Sequence, residues 1–301
     1  MVLTLLAGYG IFRGLEAVAK AWSESNQSIS TPIAPAQRAN RPNAPVLPTI
    51  RGRVPTAVIY ENAQKLFESE YVSYTRLNTF NQCQRKFLLT YLRGFRQQDR
   101  DKTVATNHGS DFHQRSEDLF NENIGKTIGS LLSAPAVNRD SRLRQILQAE
   151  SPDSVVLATE LELRFKADGR EFLGYVDLAV ERPDGMVTLI DAKTGNRQYQ
   201  LYPPDPLQLD IYSFPELLLR PERKVHLAYV LVDVGKVIRW SNGPENRNDV
   251  FARIQRSIER VEAESEFEPN FGPLCKYCHV ESVCKGEGES VYKTFAKNSP
   301  K

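Results

Sequence analysis

Five stretches dense in β-branched and aromatic residues are bounded by turn residues, and each predicts a strand: 155–166, 171–181, 186–193, 224–233 and 236–241. Arg182-Pro183-Asp184-Gly185 separates the second stretch from the third and reads as a turn, making an antiparallel hairpin. Helical runs fall at 76–92, 107–122, 138–149 and 248–264, and another follows Pro203-Pro204-Asp205-Pro206, where proline suits a helix start. Together these predict an α/β domain over residues 73–286, a central mixed β-sheet flanked by helices. Ahead of it, residues 1–26 read as an amphipathic helix and 27–72 as a flexible linker rich in Ser, Pro and Asn; residues 287–301 form a C-terminal tail.

Polar residues that interrupt the apolar stretches carry the chemistry. Asp177 lies mid-strand between Val176 and Leu178, where a carboxylate is costly to bury unless a cation compensates it. Asp191 and Lys193 end the next strand, two residues apart and so on one face. Two carboxylates and a lysine around one hairpin suit Mg²⁺, which takes one or two carboxylates and leaves places for substrate oxygens. The arrangement fits metal-assisted hydrolysis of a phosphodiester, while Asp-x-Lys taken alone fits equally well a strand end that meets solvent or a salt bridge.

Gly109, His113 and Glu117 are four apart, so a helix places them on one stripe. His113 there can offer a neutral imidazole nitrogen to a metal, or serve structurally. Gln208 and Tyr212 form a second four-residue pair, placed to orient Lys193, to contact a nucleic-acid backbone, or to pack as a polar stripe on the sheet. Glu160 and Glu162, two apart on one strand, are candidates for a further acidic group at the metal.

Cys83 stands alone, and Cys275-xx-Cys278-xxxxx-Cys284 comes late in the chain. No secretory disulfide framework is evident. Four thiolates fit either an iron–sulfur cluster or zinc, although zinc sites commonly draw cysteines as two close pairs. Either metal would staple the segment around Cys83 to the C-terminal region.

Gly-xxx-His-xxx-Glu, Gly-xx-Asp, Asp-x-Lys-Thr-Gly and Gln-xxx-Tyr, in that order, resemble the RecB-type branch of the PD-(D/E)XK nuclease superfamily, with its restriction-endonuclease-like fold. The one-plus-three cysteines resemble the iron–sulfur members of that branch, which include CRISPR-associated and phage exonucleases. The resemblance covers about residues 73–286. It implies Mg²⁺ or Mn²⁺ held by His113, Asp177, Asp191 and the main-chain carbonyl of Ala192. It further implies Lys193 as the catalytic lysine, Gln208 and Tyr212 as its partners, and a 4Fe-4S cluster on Cys83, Cys275, Cys278 and Cys284. The expected activity is a metal-dependent DNA exonuclease acting at single-stranded ends in repair, recombination or processing. The alternative is a non-catalytic DNA-end-binding adaptor of a recombination or CRISPR adaptation complex.

Charge adds local detail. The 301 residues carry a formal net charge of +2, so the whole chain is no polycation. The stretch from Arg76 to Lys102 is nevertheless basic, and Arg85, Lys86, Arg93 and Arg96 are candidate nucleic-acid contacts. Phe80, Phe87, Tyr91 and Phe95 interleave with them and either stack on bases or face the core. Gly125-Lys126-Thr127 resembles the end of a phosphate-binding loop, but the position five before Gly125 is Phe120, so no ATPase engine is encoded here and a helicase or recombination partner would supply unwinding. Residues 1–12 are too short to span a bilayer and lack a basic lead, so stable membrane insertion is not expected and a cytoplasmic location is.

Overall fold

The computed structural model describes residues 58–97, 104–195 and 203–287, with the side chains of 104–110, 286 and 287 outside the description. Of the two compact units into which the chain divides, Met1–Thr49 lies outside the described residues, as do the expected helix over 1–26, the linker up to residue 57 and the tail beyond 287.

The linker expected over 27–72 is corrected at its end. Helix α1 (Ala63–Ser69) is capped by Asn62, whose side chain accepts from the Lys65 amide at 2.9 Å, and it buries Ala63, Leu66 and Phe67. Three apolar residues on one face suffice to dock a short helix whose surroundings in sequence are polar. Helix α2 (Tyr74–Gln82) starts at the Ser73 cap. The single helix expected over 76–92 is broken at Cys83, whose backbone is extended (φ −165°, ψ 111°) and whose sulfur caps α3 (Gln84–Phe87). A π-helical turn, Leu88–Leu92, continues from α3.

Helix α4 (Val104–Asn121) carries His113. Three short helices follow: α5 (Ile128–Leu132), α6 (Pro135–Arg139) and α7 (Ser141–Leu147), where the sequence predicted one helix from 138. Pro135 at the first turn of α6 and Asp140 capping α7 divide the run.

The sheet runs in the order β1 (Val155–Ala167), β2 (Arg170–Glu181), β3 (Val187–Lys193), β4 (Val225–Leu231), β5 (Lys236–Asn242). All neighbours are antiparallel except β3 and β4, which are parallel, with helix α8 (Leu207–Leu219) lying between them in the chain. The sheet is therefore mixed and flanked by helices, as expected. Asp168 (φ 50°) and Gly169 (φ 72°) make the tight turn between β1 and β2, both left-handed as a two-residue hairpin requires.

Phe112, Phe120, Ile128, Leu131, Leu143 and Ile146 from α4, α5 and α7 pack on Leu178, Val180, Ile190, Ala192, Ala228 and Val230 of the sheet. The alternate residues of β3, among them Asp191, face the other way, toward α8. Helix α9 (Arg247–Glu262) fixes α8: Arg253 donates twice to the fully buried Asp210 carboxylate, at 2.9 and 3.0 Å, and Asn242 of β5 donates to its other oxygen at 2.8 Å. A 3₁₀ turn (Pro273–Tyr277) and helix α10 (Glu281–Glu287) complete the described chain.

Candidate active site

The pairing of β2 with β3 stops at Leu178↔Ile190, so the next two residues in register, Asp177 and Asp191, lie where the strands part. The Ala192 amide, released from the ladder by that divergence, donates to Asp177 Oδ2 at 2.7 Å. His113 of α4 brings Nδ1 to 3.6 Å from Asp177 Oδ1. Across the gap, Lys193 Nζ lies 2.6 Å from Asp191 Oδ2 and donates to Gln208 Oε1 at 2.7 Å. Gln208 Nε2 donates in turn to Asp191 Oδ1 at 2.6 Å and to the Tyr212 hydroxyl at 3.0 Å. One amide thus orients the aspartate, the lysine and the tyrosine together.

Gly174 explains the glycine of Gly-xx-Asp. A Cβ there would fall 2.9 Å from Tyr212 Cδ1 and nearer still to Cε1, so only glycine lets the tyrosine ring lie against β2.

Asp191 is 2% exposed, and its Oδ2 accepts no well-aligned hydrogen bond despite the nearby ammonium. Burial, reinforced by the Asp191 charge, pushes the Asp177 carboxyl well above its ordinary range. Burial likewise raises Glu160, with Glu117 and Asp191 adding to the effect. His113 is lowered by burial, although Asp191 pulls the other way, and a neutral imidazole is the form that ligates a metal. Tyr212 is raised by burial and then by Asp191, which keeps its hydroxyl protonated. Crowded carboxylates that resist ionisation, beside a neutral histidine and an under-satisfied buried oxygen, are the donor set a hard divalent cation would satisfy.

Sequence reasoning half-found one residue. His113, Glu160 and Asp177 each offer a ligand atom, all within 4.8 Å of one another. Glu162, its partner in the sequence argument, lies at the surface and accepts from Arg164 and Tyr175 instead. Glu160 takes φ 44°, a strained backbone for a glutamate, and such outliers cluster at functional sites.

The remaining candidates sit elsewhere. Phe80, Phe87 and Phe95 are buried and belong to the core, while Tyr91 is half-buried. Arg85 donates to the Phe267 carbonyl, and Lys86 lines a cavity with Cys83, Cys275, Cys278 and Cys284. Arg93 is half-buried, and Arg96 pairs with Glu70 at 3.3 Å. The four cysteines form no disulfide. Burial raises the Cys284 thiol to about 11 and shifts Cys278 upward, and backbone amides of Lys86, Asn270 and Gly272 point at Cys83 and Cys275 sulfurs from 3.4 Å.

The model of the PD-(D/E)XK nuclease superfamily matches residues 71–153 and 133–285. The chain belongs to the PD-(D/E)XK nuclease superfamily. Nucleases of this superfamily act on DNA with divalent metal ions, and the acidic cluster around Asp177 is a candidate site for one. Among solved structures, 25 chains match; one described as "Crystal structure of SSO0001" is 18% identical with a TM-score of 0.38, covering 74% of this chain and 93% of that one. No curated protein matches the chain. No helix among the described residues is long and apolar enough to cross a membrane.

Proposed function

We propose that this superfamily member is a RecB-type, metal-dependent DNA exonuclease acting at single-stranded ends. The observation that carries the reading is the Asp177–Asp191 pair at the parting of β2 and β3, with Lys193 tied to both Asp191 and Gln208. His113, Asp177, Asp191 and the Ala192 carbonyl would hold Mg²⁺ or Mn²⁺. N–H and C=O of one strand residue point to the same side, so the hydrogen bond from the Ala192 amide to Asp177 supports a carbonyl that faces the gap as well. The bound ion supplies polarisation of a phosphate oxygen and a lowered pKa for the attacking water.

The chain's own residues do the rest. Lys193, held by Gln208, presents its ammonium where charge grows on the phosphorus oxygens and orients the attacking water. Gln208 fixes the Asp191 carboxylate in position, and Tyr212 anchors Gln208 on β2. Cys83, Cys275, Cys278 and Cys284 would hold a 4Fe-4S cluster that ties the α2–α3 junction to the C-terminal turn, a role supported by the cavity they line together.

End-labelled single-stranded DNA, incubated with Mg²⁺ or Mn²⁺, is degraded from its ends by the wild type and not by Lys193→Ala. Binding without cleavage on any end structure would replace this reading with the DNA-end-binding adaptor.

A further inference from the structure

A second feature adjoins the catalytic gap. Tyr71, Tyr74, Tyr91, Tyr175 and Tyr212 line one open cleft of about 340 Å³ together with Arg76 and Gly174. Gly174 and Tyr175 of β2 line it beside Tyr212, whose ring lies against Gly174. Tyr175 is 46% exposed, a large aromatic presented to solvent rather than packed away. It shares a face of β2 with Asp177, two residues or roughly 6.5 Å along the strand. Its hydroxyl donates across to Glu162 at 3.1 Å, the residue paired with it on β1, which limits the ring's rotation.

One cationic residue, Arg76, lines the cleft, and it is ion-paired. Glu70 accepts from both Arg76 and Arg96, so one carboxylate stands against two guanidiniums. Arg76, only 3% exposed, lies over the Tyr71 ring at 4.0 Å and the Tyr91 ring at 5.4 Å; Arg96 lies over Tyr91 at 4.9 Å. Cations on one side of the Tyr71 and Tyr91 rings hold them in place.

We propose that this cleft is a subsite for an unpaired nucleotide of single-stranded DNA, its base stacked on the exposed ring of Tyr175. Aromatic faces stack any base, whereas a base inside a duplex has both faces covered and cannot enter. The subsite therefore selects frayed or single-stranded ends and shows little sequence preference. The inference rests on the DNA-cleaving reading of the neighbouring residues and names the substrate form they receive.

The test is binding in EDTA, where no cleavage is needed, using fluorescence of an oligonucleotide carrying 2-aminopurine near its end. Stacking quenches the probe in the wild type. Tyr175→Ala abolishes the quench and weakens binding about 5- to 150-fold, while Tyr175→Phe, which keeps the ring, stays within about twofold. An abasic site at the same position reproduces the loss, and Tyr175→Ala then changes nothing more. Equal wild-type affinity for intact and abasic strands, or an unchanged quench in Tyr175→Ala, overturns the subsite. A retained quench in a protein that never cleaves sinks the nuclease reading and leaves the subsite standing; cleavage with no base-dependent binding does the reverse.

Discussion

Gly174→Ala isolates how closely the site is built. The backbone at Gly174 is not left-handed, so alanine fits the strand and would by conformational entropy alone stabilise it by about 0.5–1 kcal/mol. The new methyl, however, lands within 3 Å of the Tyr212 ring, which is buried and held by Gln208 at 3.0 Å. Forcing such a contact costs about 1–3 kcal/mol, and displacing the hydroxyl from Gln208 adds about 1 kcal/mol. The net expectation is a loss of about 1–3 kcal/mol. In a Tyr212→Ala background the clash is gone, and the same glycine change becomes neutral or slightly stabilising. Urea unfolding of the four proteins of this cycle measures a coupling of about 1–3 kcal/mol, read as shifts in midpoint at constant slope. The single variant also lowers cleavage while leaving metal affinity near wild type, because Tyr212 reaches Asp191 only through Gln208. An equal penalty for Gly174→Ala with and without the Tyr212 ring would refute the reasoning.

Further outcomes follow from the electrostatics. The Asp177 carboxyl is held above its ordinary value, so folding favours its protonated form; that contribution is full below pH 3.8 and is lost as pH rises through the raised value. In EDTA, Asp177→Asn therefore melts above wild type at pH 8 and the gap closes toward pH 4, as differential scanning fluorimetry would read; Mg²⁺ raises the wild-type Tm and not that of the variant. A gap that widens toward acid would contradict the assignment. Cys284→Ser, and equally Cys83→Ser, removes visible charge-transfer absorption from anaerobically purified protein and lowers its Tm; a colourless wild type containing zinc would replace iron–sulfur by zinc. Arg253→Met leaves the Asp210 carboxylate buried without its cation and costs about 3–5 kcal/mol in urea unfolding, a loss that a further Asp210→Asn partly restores.

Strand spacing made much of the site legible. The turn expected at 182–185 forms, with Arg182 N bonded to Met186 O at 2.8 Å and Gly185 at φ 75°, so Asp177 and Asp191 come into register as the hairpin requires. Helical spacing put Gln208 beside Tyr212 and offered Lys193 as its partner, but not its further bond to Asp191, which depends on where α8 crosses the sheet. Glu160 reaches the His113–Asp177 group through a left-handed φ that no residue pattern announces. Cys83 divides a run whose apolar spacing reads as one helix, because its extended backbone answers to a sulfur cap rather than to local propensity. Leu66 and Phe67 were hidden by polar neighbours, since the core that receives α1 lies far away in sequence. Tyr175 reads as one more strand aromatic until its exposure is known.

The central claim is that the Asp177–Asp191 gap, armed by Lys193, cleaves DNA with a divalent ion. The most direct measurement is time-resolved degradation of end-labelled single-stranded DNA across a Mg²⁺ titration, for wild type, Lys193→Ala and Asp191→Ala. The account predicts cleavage abolished by EDTA, a Lys193→Ala protein that binds metal yet turns over at least about a hundredfold more slowly, and an Asp191→Ala protein defective in both. Cleavage that persists in EDTA, or full activity in Asp191→Ala, would contradict it.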